Sequence, residues 1–188
     1  ANLIGLPLKG AKVAIHGFGN VGSFTAKYLR AMGAKIVAVA TKETALYQKE
    51  GLNLNTLKGK KISQEDFWKV PVDILIPASV TDVINNSNKN DIKAKLIVEG
   101  GNIPMQEKIE AELFKKGILI VPDFVANAGG VISSYAEYRG YNPKKMFESV
   151  NTKITKSTQM VLERALQKHL NPRTVALQIA KEKLLYAS

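Results

Sequence analysis

Lys12-Val13-Ala14-Ile15-His16-Gly17-Phe18-Gly19-Asn20-Val21-Gly22 is the stretch that decides the fold. An apolar run ends at a glycine, two more glycines follow at the G-x-G-x-x-G spacing, and a helical pattern begins at once. Each glycine has a separate task in a dinucleotide site. Gly17 permits a tight strand-to-helix turn, Gly19 lets a pyrophosphate approach the backbone, and Gly22 lets the helix lie against its strand. The phosphates then sit over the N–H groups that open the helix, where the dipole favours negative charge. Glycine spacing alone is a weak signal, because glycine is common in turns. The context strengthens it. Val21, Tyr28 or Leu29, and Met32 read as the apolar face of the helix, and Gly33 is placed to end it. A second apolar strand, Lys35 to Val39, completes a β-α-β unit of the expected ~30 residues.

The bulk properties narrow the class. The chain has 188 residues, 45% of them hydrophobic, enough for one domain with a substantial core. No run of 18 apolar residues predicts a membrane span, and the N-terminus lacks the pattern of a signal peptide. A cytoplasmic location is the expectation. The missing initiator methionine points to a processed chain or a fragment. With no cysteine, disulfides and thiolate metal sites are excluded. The net charge of +11 raises nucleic-acid binding as an alternative. The lysines are scattered, however, no run reaches five, and no nucleic-acid-reading motif accompanies them. They read as a solvated surface, and a missing acidic partner domain would also leave such an imbalance.

Along the chain, 41–61 reads as a polar loop with a short helical turn. Ser63 reads as the N-cap of a short helix that stops before Pro71. Val72 to Pro77 reads as a strand, and Val83 to Asn86 as a short helix. Lys95 to Glu99 is a further strand. Pro104 opens a helix that runs to Gly117, and Ile118 to Val121 is the last strand. Residues 122–130 read as a loop. From Val131 the pattern is helical, with a long helix from Asn142-Pro143 to His169. Asn171-Pro172 starts a final helix whose apolar face is Val175, Leu177 or Gln178, Ala180, Leu184 and Leu185. This alternation predicts an α/β fold: a Rossmann-like, doubly wound, mostly parallel sheet with C-terminal helices. Residues 1–188 read as one such domain, with 1–10 as its entry and 143–188 as a helical tail. Ligands in such sheets bind beyond the carboxyl ends of the strands. Gly17–Gly22, Ala40–Glu43, Ala78–Ser79, Glu99–Asn102 and Asp123–Gly130 fall there.

The blocks Gly17-Phe18-Gly19-Asn20-Val21-Gly22, Ile76-Pro77-Ala78, Val98-Glu99-Gly100-Gly101-Asn102 and Pro122 to Val131 resemble, in order and separation, the cofactor domain of glutamate dehydrogenases. The resemblance runs essentially end to end, and the last block is the most specific. It implies that Gly17, Phe18, Gly19, Asn20, Val21 and Gly22 hold the pyrophosphate. It implies that Ala78 and Ser79 lie along the nicotinamide-side ribose, that Asn102 bonds near it, and that Asn127 reaches the nicotinamide carboxamide. Ser134 matches the serine that contacts the side-chain carboxylate of glutamate. Bland readings stand beside these. Asn127 also suits a cap or turn, Ser134 a helix surface, Glu99 an acceptor for loop N–H groups, and Asp123 a turn. His16 stands where the family more often has glutamine and reads as structural. His169, near a helix C-terminus, suits the dipole.

There are three departures from the family pattern. An NAD site normally places a carboxylate at the end of the second strand. Here that end reads Val39-Ala40-Thr41-Lys42-Glu43. Thr41 beside Lys42 tolerates a 2′-phosphate, so the cofactor leans to NADP or dual use with NAD; a shifted loop would let Glu43 serve instead. Gly101 replaces the usual alanine. The family's catalytic lysine and aspartate belong to an N-terminal substrate domain whose motif is not in these residues. The expected function is therefore that of the NAD(P)-binding part of a glutamate dehydrogenase, with no catalytic residue in this chain. Such an enzyme interconverts L-glutamate with 2-oxoglutarate and ammonia and forms a homo-oligomer when intact. The alternatives are a dinucleotide-binding module without catalysis, or the cofactor domain of a leucine, valine or phenylalanine dehydrogenase.

Overall fold

A computed structural model describes residues 1–185. Its contacts divide the chain into two units, Ala1–Ile120 and Val121–Ser188. The first unit is built on a seven-stranded sheet. The strands are β1 (Lys12–His16), β2 (Lys35–Ala40), β3 (Ala45–Tyr47), β4 (Lys60–Ile62), β5 (Ile74–Pro77), β6 (Leu96–Val98) and β7 (Leu119–Val121). Their spatial order is β4-β3-β2-β1-β5-β6-β7. The β1–β2, β1–β5 and β5–β6 pairs are parallel. The β2–β3 and β3–β4 pairs are antiparallel. The expected α/β sheet is present. The loop reading of 41–61 is corrected, because that stretch returns as two strands that extend the β2 edge. Their three-residue length left no alternation to read.

Strand geometry sends successive side chains to opposite faces. Ala14 enters a core with Phe67, Trp68, Ile97, Ile109 and Leu113. That core belongs to α2 (Gln64–Lys69) and α3 (Glu107–Lys115). Ser63 caps α2 as read, its hydroxyl accepting from Asp66 N–H at 3.0 Å. The helix α3 starts later than Pro104 implied, at Glu107 with Gln106 as N-cap. Residues 83–86 form no helix. The Asn88 side chain instead ties this loop, donating to the Val83 carbonyl and accepting from Asn85 N–H.

Ile15 points to the other face, against α1 (Asn20–Ala31). The buried residues of α1 are Gly22 and Ala26. Val21, Tyr28 and Met32, read from the sequence as the inner stripe with Leu29 as the alternative to Tyr28, are all more than half exposed, and Leu29 is half-buried. The correction has a plain cause. A helix this close to its strand admits only small residues on the inner side.

The second unit is helical. It contains α4 (Asp123–Ala126), α5 (Gly129–Tyr138), α6 (Pro143–Lys168) and α7 (Pro172–Leu185). The expected long helix is confirmed at both ends. Asn142 accepts from Lys145 N–H, and His169 closes the helix in the left-handed region at φ 53°. Residues 123–126, read as loop, form a short helix instead. The buried face of α7 is Pro172, Val175, Ala176 and Ile179, whereas Leu177, Leu184 and Leu185 are exposed. Arg173 donates to Asp123 at 3.1 Å, with both side chains largely buried. No helix among the described residues is long and apolar enough to cross a membrane.

Two stability effects follow from these contacts. Ser63→Ala should cost about 1 kcal/mol through loss of the α2 cap. Arg173→Ala should cost about 3 kcal/mol, because it strips a mostly buried carboxylate of its cation. Denaturant unfolding of each variant measures both.

Candidate functional site

The site begins where β1 meets α1. Gly17 donates its N–H to the Ala40 carbonyl at 2.9 Å and so reaches across to β2. Its φ is 96°, which favours glycine. A Cβ on Gly17 would stand 2.6 Å from the Ala78 carbonyl oxygen and 2.8 Å from Ser79 Cβ. A Cβ on Gly22 would stand 1.9 Å from the Gly17 carbonyl oxygen and 3.2 Å from Ile15 Cγ2. The fold itself therefore demands both residues. Gly19 differs. Its φ is −78°, open to any residue, and a Cβ there would meet nothing within 4 Å. Nothing in the chain's own packing asks for glycine at 19. Gly19 is the N-cap of α1, no side chain caps the helix, and its first turn carries no acidic residue. Gly19, Asn20 and Val21 are exposed, and Phe18 is half-buried. This is a helix N-terminus with its N–H groups presented and no carboxylate in its first turn, the electrostatic condition for holding an anion.

The loops after β5 and β6 are bound to this turn. Ala78 N–H donates to the His16 carbonyl at 2.7 Å. The Pro77 carbonyl accepts from both Gly100 and Gly101 N–H groups, at 3.0 and 2.9 Å. The Thr81 hydroxyl donates to the Asn102 carbonyl at 3.3 Å. Gly17–Gly22, Ala78, Ser79 and Asn102, which lie far apart in sequence, are thus gathered at the carboxyl ends of three adjacent strands. Glu99 is fully buried beneath them.

His16 has a role the sequence did not disclose. Its Nδ1 lies 2.8 Å from Ser79 Oγ. The ring stacks on Trp68, with centroids 4.8 Å apart at 18°, and meets Phe67 edge-on at 5.3 Å. Burial pulls the imidazole down to about 4, so it is neutral near pH 7. The partners lie more than fifty residues away, and no local pattern announces them.

At the end of β2, the Thr41 hydroxyl is occupied by its own turn. It reaches the Thr44 carbonyl and the Glu43 carboxylate at 3.2 Å each. It also accepts from the Glu43 and Thr44 N–H groups. Lys42 is exposed. The turn thus folds the Glu43 carboxylate back to the Thr41 hydroxyl at the end of β2. Gln64 Nε2 donates to the Thr41 carbonyl at 2.9 Å and joins this turn to α2.

The two remaining sequence candidates belong to the helical unit. Asn127 ends α4, its N–H donating to the Asp123 carbonyl at 2.7 Å. Ser134 is exposed on α5, its hydroxyl donating to the Gly130 carbonyl at 3.1 Å.

Comparison with known proteins gives a consistent picture. The Glutamate/Leucine/Phenylalanine/Valine dehydrogenase family model matches residues 1–62 and 55–188. The NADP-specific glutamate dehydrogenase of Saccharolobus shibatae is 43% identical over 145 residues, covering 70% of this chain and 34% of its own. The NAD-specific glutamate dehydrogenase of Staphylococcus aureus is 34% identical over 190 residues, covering 91% of this chain and 46% of its own. Among solved structures, the hetero-hexameric glutamate dehydrogenase of Thermus thermophilus superposes with a TM-score of 0.89 at 28% identity. It covers all of this chain and 49% of its own. The chain spans about half the length of the curated relatives it matches.

Two substitutions separate fold from ligand in this turn. Gly22→Ala should destabilise by about 3 kcal/mol or more, since the atom that stands 1.9 Å from the added Cβ belongs to the backbone and cannot move away cheaply. Gly19→Ala should leave the melting temperature within about 2 °C of the parent. The neutral His16 adds a pH effect. Its folded value lies below the unfolded 6.5, so the unfolded chain binds the extra proton and stability falls as pH drops from 6.5 toward 4. Asp66, Asp73 and Glu112, held below their ordinary values by Lys69, Lys12 N–H and Lys89 in turn, lose their contributions as pH falls through the ordinary carboxylate range and below. Melting curves of His16→Asn should be flatter than those of the parent between pH 6.5 and 4.

Proposed function

The chain belongs to the glutamate/leucine/phenylalanine/valine dehydrogenase family, and from that premise we propose that it is the cofactor-binding part of an NAD(P)-dependent glutamate dehydrogenase. The observation that carries the reading is Gly19. It is a glycine that neither backbone conformation nor packing requires, at the uncapped start of α1. A ligand that must touch the backbone there accounts for it. Gly17, Phe18, Gly19, Asn20, Val21 and Gly22 would surround the pyrophosphate. Ala78, Ser79 and Asn102 would lie along the nicotinamide-side ribose, and Asn127 would take the carboxamide. The nicotinamide supplies hydride transfer. These residues supply binding, orientation of the ring and exclusion of water.

The intact enzyme would interconvert L-glutamate with 2-oxoglutarate and ammonia as a homo-oligomer. Closing the substrate domain over the cofactor would complete its site. The residues described here would bind nucleotide without turning it over. Ser134 is the side chain that favours glutamate over an apolar amino acid. For the nucleotide we propose dual use. Exposed Lys42 attracts a 2′-phosphate, while Glu43, held at Thr41, opposes it and offers the ribose hydroxyl a carboxylate. The relatives named above include enzymes of both specificities.

Titration of the pure chain with NADH and with NADPH, followed by nucleotide fluorescence, tests this reading. Both should bind, with dissociation constants within about tenfold of each other, roughly the weight of one charge-assisted contact. Gly19→Ala should weaken both by at least tenfold while the protein stays folded. Saturable binding unaffected by Gly19→Ala would remove the argument. In the full-length enzyme, Ser134→Ala should lower kcat/KM for glutamate by about tenfold or more, the loss expected when a charge-assisted hydrogen bond goes.

A further inference from the structure

We propose that His16 is a positioning residue, one that fixes the Ser79 hydroxyl in the orientation that receives the nicotinamide-side ribose. The inference rests on the cofactor reading above and goes beyond it. It assigns a task to a side chain that touches no ligand.

Ser79 is half-buried and held between two neighbouring loops. Its Cβ lies 2.8 Å from where Gly17 would carry a Cβ, and its carbonyl oxygen lies 3.0 Å from the same point on Gly101. The preceding residue, Ala78, is pinned by its N–H to the His16 carbonyl. Main-chain movement is thus blocked by the glycine turn on one side and the β6 loop on the other. The remaining freedom is rotation about the Cα–Cβ bond, which offers three staggered positions. His16 Nδ1, 2.8 Å from Ser79 Oγ, selects one.

His16 is itself held by aromatic contacts. Trp68 lies flat against one face of the ring and Phe67 presents its edge. Both belong to α2, and α2 is tied to the end of β2 through Gln64. The ring is neutral, so it supplies geometry and not charge. A serine hydroxyl has one proton to donate and two lone pairs. If Nδ1 accepts, the Ser79 proton is spent on His16 and both lone pairs face outward. If Nδ1 donates, Ser79 keeps its proton for the ligand. In either tautomer one direction is used and the rest is aimed. A hydroxyl aimed before the ligand arrives avoids the ordering cost on binding.

The expected effect is modest and measurable. Losing one defined position among three costs about threefold, and losing the hydrogen bond raises the total to at most about tenfold. The test uses the 188-residue chain, with NADH and ADP as probes. ADP carries the diphosphate and lacks the second ribose. His16→Phe keeps the ring against Trp68 and removes the nitrogen. His16→Asn places an amide atom at the position of Nδ1 and removes the ring. The expected result is that His16→Phe weakens NADH by three- to tenfold and leaves ADP unchanged, whereas His16→Asn keeps NADH within about twofold of the parent. In a Ser79→Ala background, His16→Phe should have no further effect. If the phenylalanine variant fails to fold, His16→Leu gives the same comparison. The proposal is overturned if loss of the nitrogen leaves NADH affinity intact, if it weakens ADP equally, or if its full effect persists without Ser79. A parent chain that binds neither NADH nor ADP would overturn the cofactor reading itself.

Discussion

The structure turns on how closely the backbone of α1 passes the strand that precedes it. A single methyl group on Gly22 would overlap the Gly17 carbonyl oxygen at 1.9 Å. That proximity forces small residues onto the inner side of α1, leaves its large apolar side chains outside, and sets the direction in which its first N–H groups point. Packing of this kind is rigid, because protein interiors have no spare volume to absorb a methyl group. The N-terminus of the helix is therefore placed by main-chain contact, the least adaptable contact a protein has.

Around that contact the other loops are braced in series. The Pro77 carbonyl ties the β6 loop to β5, and Ala78 N–H ties β5 to β1. Gly17 N–H ties the turn to β2. Beneath the sheet, α2 supports two ends of the crevice. Gln64 holds the Thr41 turn, while Phe67 and Trp68 hold His16 and, through it, Ser79. A helix with no loop residue of its own in the crevice thus braces the loop after β2 and the loop after β5 together. Individually these hydrogen bonds contribute about 1 kcal/mol each. Their joint effect is to remove freedom from the loops at the carboxyl ends of the strands, which on the proposed reading lowers the ordering cost of binding a nucleotide.

Several elements were legible in the residues because their causes are local. The strands at β1, β2, β5, β6 and β7 are short apolar runs bounded by turn residues. Ser63 and Asn142 sit three residues before the N–H groups they accept from, a spacing visible in any sequence. Other elements have causes elsewhere in the chain. β3 and β4 exist because the edge of β2 is there to pair with. The α7 face was misread because Leu184 and Leu185 outrank Pro172 and Ala176 in hydrophobicity, while the geometry admits the smaller residues. Thr41 beside Lys42 read as a pair that tolerates a 2′-phosphate, and the turn that Thr41 anchors is a matter of backbone direction after β2.

The amino-acid order alone determined the class of fold and, through its motif blocks, the resemblance to a family. Both are carried by residues read along one dimension. Only the tertiary structure decided which glycines serve packing and which does not. It alone set His16 against Ser79 and the Ala78 N–H on the His16 carbonyl. The reason is that these are distances between segments up to 63 residues apart, fixed by strand order and helix approach. No window along the sequence contains them.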